Sequence, residues 1–252
     1  MEGFDFLSES QWQPLADFGF VHSFFNIDRT TVINTWFVIL IIGLFGCFCR
    51  YIFFRRQKHI LLFHTLMAFI KAFYDITIQS LGIFSFNHFS FIASLFIYII
   101  LCNSISLIPG SEEPTKNLNT TLALSLISFF YVQYYTIITH GLRAYIKEYF
   151  DPIFIMLPLN IVGKFASIIS MAFRLYGNIF GGSTIATIYF STLHGSTLFQ
   201  TIGLLSGINL IILLFFGLFE GAIQAFVFAM LTITYLSIAL STEQTEKPIG
   251  KS

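Results

Sequence analysis

Asn160 to Tyr189 reads NIVGKFASIISMAFRLYGNIFGGSTIATIY, a run apolar enough to lie in lipid that nonetheless carries one arginine, Arg174. No acidic residue stands within helical reach of it along the run. Wound as a helix, Gly163, Ser167, Ser170, Arg174, Asn178 and Gly181 recur at three- and four-residue steps and share one small, polar face. Phe165, Ile168, Ile169, Met171, Phe173, Leu175, Tyr176 and Phe180 make the opposite, greasy face. A guanidinium stays charged, and at mid-membrane it costs about 2.5–3.5 kcal/mol on insertion scales, so Arg174 is expected to face a partner or a wet cavity. The competing account is close helix packing through the Gly177 and Gly181 pair, with the arginine snorkelling to an interface. Pattern alone does not separate the two.

The surrounding chain has the composition of a multi-pass membrane protein. Of 252 residues, 56% are hydrophobic, 18% aromatic and only 10% charged, and repeated runs approach the ~20 residues that cross hydrocarbon. The 13 basic and 13 acidic groups balance, which argues against a nucleic-acid partner. Cys47, Cys49 and Cys102 sit in apolar runs without ligand spacing and read as small core residues. The opening MEGFDFLSES lacks the basic region of a cleavable signal.

In chain order, an acidic segment, residues 1–29, precedes a first span, Thr30 to Cys49, which closes on Arg50, Arg55, Arg56 and Lys58. His59 to Ile83 is interrupted by His59, His64, Lys71, Asp75 and Gln79 and reads as an amphipathic, interfacial helix rather than a crossing. A second crossing runs from Phe89 to Ile108 and stops at Pro109 and Gly110. The third covers Leu118 to Thr139, with Asn119, Thr120 and Thr121 as expected caps. It ends in HGLRAYIKEYFDP, whose Arg143 and Lys147 belong on the cytoplasmic side.

The central helix then runs from about Leu159 to Leu193, breaks at HGST (His194 to Thr197), and a last helix covers Thr201 to Ser241. Both exceed a ~30 Å core and are expected to form a strongly tilted antiparallel hairpin. Five crossings leave the amino terminus, residues 1–29, outside. Residues 30–240 form one helical membrane region, and the short tail, residues 241–252, is cytoplasmic. The expected fold is therefore an all-α integral membrane protein of about five transmembrane helices plus one interfacial helix.

The last helix repeats the design of the central one, since Gly217, Glu220, Gly221 and Gln224 lie within about two turns and Gly217 to Gly221 is again GxxxG. In a hairpin, Arg174, Asn178, Glu220 and Gln224 fall at similar depth. Such a set suits proton handling, because a buried carboxyl can titrate while amides, hydroxyls and water relay or orient, and a permanent cation can discharge a neighbouring acid. The structural alternative is that Glu220 merely neutralises Arg174 as a buried pair. No Walker loop, HExxH, GxSxG or GxGxxG occurs, so no nucleotide or catalytic-metal site is expected and no cofactor is called for.

Three stretches carry a resemblance. Ser170-Met-Ala-Phe-Arg174-Leu-Tyr-Gly-Asn178-Ile-Phe-Gly-Gly182 resembles the signature of subunit a of the F-type ATP synthase, whose core reads S-x-x-x-R-L-x-G-N. Ile223 to Thr232 with Tyr235 is similar to that family's I-Q-A-F-x-F-x-x-L-T-x-x-Y. Ile108-Pro109-Gly110, Pro114-Thr115 and Asn117 to Thr121 resemble its bacterial and plastid branch. Together the three span Asn103 to Leu240.

The resemblance implies a non-catalytic membrane subunit with two offset aqueous half-channels for protons or sodium ions. Its partners would be a ring of c subunits, the b-subunit peripheral stalk and the rest of the synthase, in a bacterial cytoplasmic or an organellar inner membrane. It gives Arg174 the role of facing the ring carboxylate and separating the channels, supported by Gln224, while Asn178 and the outer half of the two long helices line the access path and Ser170 opens the arginine's signature. The GxxxG spacing itself gives Gly177, Gly181, Gly217 and Gly221 a helix-packing role. The chain departs from the family where relatives carry an acid or histidine, at Ser183 and Gly217, which leaves Glu220 to take over the titrating role one turn away. Asn117 and Lys164 likewise replace residues that are commonly acidic. A self-contained ion transporter or channel is the alternative, but it would prefer an internal repeat and discontinuous helices, and neither is evident.

Overall fold

The computed structural model describes residues 11–12, 27–54, 60–82, 84–108, 113–150, 155–194 and 207–241. Apart from a two-residue antiparallel pair, β1 (Gln11–Trp12) with β2 (Ile27–Asp28), these residues build helices. They are α1 (Arg29–Phe54), α2 (Ile60–Leu81), α3 (Phe86–Ser104), α4 (Leu118–His140), α5 (Leu142–Phe150) and α6 (Met156–His194). The chain ends in α7 (Ile208–Leu214) and α8 (Gly221–Ser241), joined without a break by a π-helical segment, Phe215–Glu220. Three-residue 3-10 turns, Ile105–Leu107 and Pro114–Lys116, flank the α3–α4 connection.

Six stretches are long and apolar enough to cross a bilayer, and contacts between their ends fix how they run. Val38 packs on Cys102 and Ile105, so α1 and α3 are antiparallel. Asn103, at the end of α3, bonds Gly221 at the start of α8, while His140, at the end of α4, bonds the carbonyl of Ala239 near the end of α8. Asn178 of α6 meets Gln224, and Tyr189 meets Asn209 farther up the pair, so α6 runs against α7 and α8. Consequently α1, α4 and α8 finish, and α3 and α6 start, at one end of the bundle.

That end is the basic one, holding Arg50, Arg143 and Lys147, all exposed, against Arg29 and Lys116 at the other. Helix α2 has both its ends there. Phe63, in its first turn, meets Phe53 at the end of α1, at 5.5 Å between ring centres, and the carbonyl of Ser80, near its finish, accepts a hydrogen bond from Ser237 of α8. It therefore returns to the side it left, slanting across α3 through Phe69 and Phe73 against Phe96. Lys71 and Asp75 both stay exposed. Five end-to-end helices and one that lies along an end is the architecture the sequence leads one to expect.

The core joins α3, α4, α6 and α8 through Leu95, Ile99, Leu124, Met171, Leu175, Ile179, Ala225 and Phe228. Outward, the bundle is greasy, with Trp36, Phe130, Phe165 and Ile211 each more than 60% exposed. Such a surface requires lipid or partner helices around it. Helix α6 has 39 residues, which at about 1.5 Å each makes about 58 Å, well beyond a hydrocarbon core of about 30 Å, and so it must tilt.

Several local features differ from the sequence reading. The cap of α4 is Asn117, whose side chain accepts from the Asn119 N–H, so that the threonines behind it are freed. Thr121 instead donates to the Leu118 carbonyl. The HGLRAYIKEYF stretch folds into α5 after a glycine, Gly141, at φ 80°, a conformation that a side chain would strain. Of the cysteines, only Cys102 is buried and Cys47 is exposed on α1, because α1 touches the bundle along a narrow strip. The turn expected at His194 to Thr197 and the tail from 242 onward lie outside the described residues, apart from His194 itself.

The placement of α2 is testable by sidedness. Single cysteines replacing Leu61 and Gln79, in a chain otherwise free of cysteine, should both react with a membrane-impermeant maleimide from the same side of sealed vesicles. Labelling from opposite sides would make α2 a sixth crossing.

Candidate functional site

Arg174 sits midway along α6, and its side chain is exposed on the outer surface of the bundle. The polar face drawn from the sequence does not all point one way. Ser170, Arg174, Gly177 and Asn178 are exposed, whereas Ser167 turns toward the interior. No ion pair holds Arg174 among the described residues, and Glu220 in particular lies elsewhere.

The two GxxxG pairs do different work. At Gly163, Gly177 and Gly181 an added methyl would meet nothing within 4 Å, so the stripe of small residues flanking Arg174 faces open space. Close packing inside this chain does not account for it. By contrast Gly217 is buried, and a methyl on Gly221 would fall 2.7 Å from Cβ of Asn103. Among the described residues it is Gly221 of this second pair that brings two helices together.

Between α6 and the last helices the polar residues form a ladder rather than a cluster. Asn178 Nδ2 donates to Gln224 Oε1 at 2.7 Å, and Gln224 is buried at 3% exposure. One turn farther from the basic end, Glu220 lies against Gly182, where an added methyl would stand 2.7 Å from Oε2 and 3.0 Å from the Phe216 ring. That Oε2 is buried with no hydrogen-bond partner. Tyr189 donates to Asn209 Oδ1 at 2.9 Å farther still. Ser183, half-buried next to Gly182, donates to the carbonyl of Phe180 in its own helix.

The π-helical segment explains how Glu220 reaches Gly182. One residue more per turn rotates the downstream side chains by about 100° relative to an α-helix. Phe215 to Glu220 is such a segment, placed where the chain carries Gly217 and Glu220.

Behind α6, toward the basic end, lies a cavity of about 170 Å³. Its walls include Ser125, Ser128, Gln133, Thr136, Lys164, Ser167, Thr232 and Tyr235. At about 30 Å³ per molecule it has room for about five waters. Ser125, Thr136, Ser167 and Thr232 donate to carbonyls of their own helices, which leaves acceptor oxygens for the cavity, while Ser128 is 1% exposed and its hydroxyl has no protein partner. Lys164 stands at one end with its ammonium 4.0 Å from the Tyr149 ring and 4.9 Å from that of Tyr145, both on α5. Tyr145 in turn donates to Gln133 Oε1 at 2.7 Å.

Sequence reasoning missed this cavity and the α5 tyrosines, because the contributing residues come from helices far apart in the chain. It gave no role to Asn103 and Thr115, both fully buried. An asparagine within an apolar span was the available signal for Asn103.

Substitutions should separate the open glycines from the packed ones. Gly182→Val should lower the unfolding free energy of the detergent-solubilised chain by about 1–3 kcal/mol through overpacking. Gly177→Ala should leave it unchanged or slightly raised, as followed by thermal unfolding.

Residues 32–237 match the family described as ATP synthase A chain. The chain is similar to the protein named ATP synthase subunit a of Moorella thermoacetica, with 33% identity over 82% of this chain and 89% of that one. It is 30% identical to ATP synthase subunit a 1 of Prosthecochloris aestuarii, over 83% of this chain and 88% of that one. It is 31% identical to the sodium-ion-specific ATP synthase subunit a of Propionigenium modestum, over 82% of this chain and 72% of that one.

Proposed function

Because this chain belongs to the ATP synthase A chain family, we propose that it is the non-catalytic subunit that passes ions across the membrane sector and turns a ring of c subunits. The rest of the synthase is its partner. The observation that carries this reading is Arg174, a permanent cation in a membrane-spanning helix, exposed on an outer face and close to glycines that nothing among the described residues covers. A charge there needs an anion from another polypeptide. A ring carboxylate sweeping past would supply one, and the bare stripe at Gly177 and Gly181 would let its helix come close.

In this scheme Arg174 divides two access routes. Toward the end away from the basic residues, Asn178, Gln224, Glu220 and Ser183 line the step between α6 and the last helices, with the unsatisfied Glu220 oxygen as the group that exchanges the ion or proton. Toward the basic end, the cavity behind α6 is a water compartment whose hydroxyls pass protons on. An ion that loads from one route meets the guanidinium and can leave by the other only after riding round the ring. Gln224, bonded to Asn178, keeps that wall firm beside the arginine.

Orientation is set by charge. Arg50, Arg143 and Lys147 gather at one end, and the excess of basic residues marks the cytoplasmic side. Residues 1–29 then stay outside and the carboxyl terminus inside, within one membrane domain. The carried ion is read as the proton, which the serine and threonine hydroxyls set among the cavity's apolar walls can pass on. Sodium is the ion named for one relative.

Arg174→Ala in the assembled enzyme should abolish ion-driven ATP synthesis in reconstituted vesicles while the complex still assembles, and Arg174→Lys should also fail substantially because a point charge does not reproduce the planar fork. Retained synthesis in either variant, or ion flux through the chain without its ring, would refute the proposal.

A further inference from the structure

Resting on the reading of Glu220 as the exchanging group, we propose that Asn103 and Thr115 are positioning residues for it, pinning the π-helical segment so that its carboxyl is delivered to Gly182. Three elements meet at this junction. Asn103 closes α3, Thr115 lies in the 3-10 turn before α4, and Gly221 opens α8 directly after Glu220. Thr115 Oγ1 donates to Asn103 Oδ1 at 2.6 Å, and Asn103 Nδ2 donates to the Gly221 carbonyl at 3.0 Å. Both side chains are 0% exposed.

Burial makes this pairing directional. A hydroxyl can give one proton, and Thr115 gives it to the amide oxygen. With its oxygen so engaged, the amide can only present its nitrogen to α8, where the Gly221 carbonyl has a lone pair to spare beyond its helix bond. Asn103 thus reads the backbone, not a side chain, at the residue immediately after Glu220.

The contact also requires glycine on the other side. A methyl at residue 221 would lie 2.7 Å from Cβ of Asn103 and 3.5 Å from its amide nitrogen, so the two backbones approach as closely as they do only because Gly221 has no side chain. Glu220 is then held from two directions. Its backbone is anchored to α3 through the next residue, and its carboxyl is stopped by the bare Cα of Gly182 on α6.

Without the anchor, Phe215–Glu220 can relax from π to α winding. The loss of one residue from the wide turn rotates Glu220 by about 100°, away from Gly182 and out of the step beside Asn178 and Gln224. The hydrogen bonds at Asn103 therefore act on ion transfer through Glu220 and touch no ion themselves.

The experiment measures passive ion flux through the membrane sector of the purified enzyme in vesicles, for Asn103→Asp, Asn103→Leu, Thr115→Val and Thr115→Ser, each in the native and the Glu220→Gln background. Asn103→Asp keeps the acceptor for Thr115 and loses the donor to Gly221. Glu220→Gln, Asn103→Asp, Asn103→Leu and Thr115→Val should each lower flux at least fivefold. The Asn103 and Thr115 changes should add less than twofold on top of Glu220→Gln, and Thr115→Ser, which keeps the hydroxyl, should stay within twofold of the native rate. Full flux in Asn103→Asp, losses that multiply with Glu220→Gln, or failure of all three disruptive variants to assemble would overturn the positioning role alone. An undiminished flux in Glu220→Gln would overturn the exchanging role of Glu220 and the positioning role with it.

Discussion

A guanidinium that cannot lose its proton, on a surface that has to meet oil, is the constraint on which the other features depend. At about 2.5–3.5 kcal/mol for insertion near mid-membrane, the cost is bearable for one group but is not repaid by an ion pair among the described residues. Glu220, the carboxylate at comparable depth, is turned toward Gly182. The account in which Glu220 silences Arg174 as an internal ion pair therefore fails on geometry, and under the proposed function the compensating charge comes from the ring.

The glycines make the same division. A GxxxG pair reads identically at Gly177 to Gly181 and at Gly217 to Gly221, yet the first pair stands bare while Gly221 of the second is pressed against Asn103. Small residues on a membrane helix mark where a backbone comes close; they do not say whose backbone it is. Here the bare pair lies beside a cation that has no ion pair among the described residues, so under the proposed function charge and shape call for the same visitor. The packed pair keeps the last helix in register with α3.

How much of this was legible in the sequence depends on the range of the interaction. The helices of the bundle could be read from run length and apolar content, and the lying helix α2 from Lys71 and Asp75, a turn apart where lipid would otherwise be. Arg174 was legible because a lone charge in an apolar run has few explanations. The cavity behind α6 was not, since its hydroxyls are drawn from α4, α6 and α8, and Ser125, Thr136, Ser167 and Thr232 each read singly as a residue bonded to its own helix. Nor was the facing of Glu220. An ideal α-helix puts residues 217, 220, 221 and 224 on one side, and a π-helical turn within the run breaks that rule without any residue announcing it. The Asn117 cap was mistaken for its threonine neighbours because all of them favour cap positions.

The return of α2 to the end it left fixes a parity. An odd number of traverses puts the start of α1 and the finish of α8 at opposite poles of the bundle. Any single companion that grips both must itself thread the bilayer, and one confined to a single compartment can reach only one of those two helix ends.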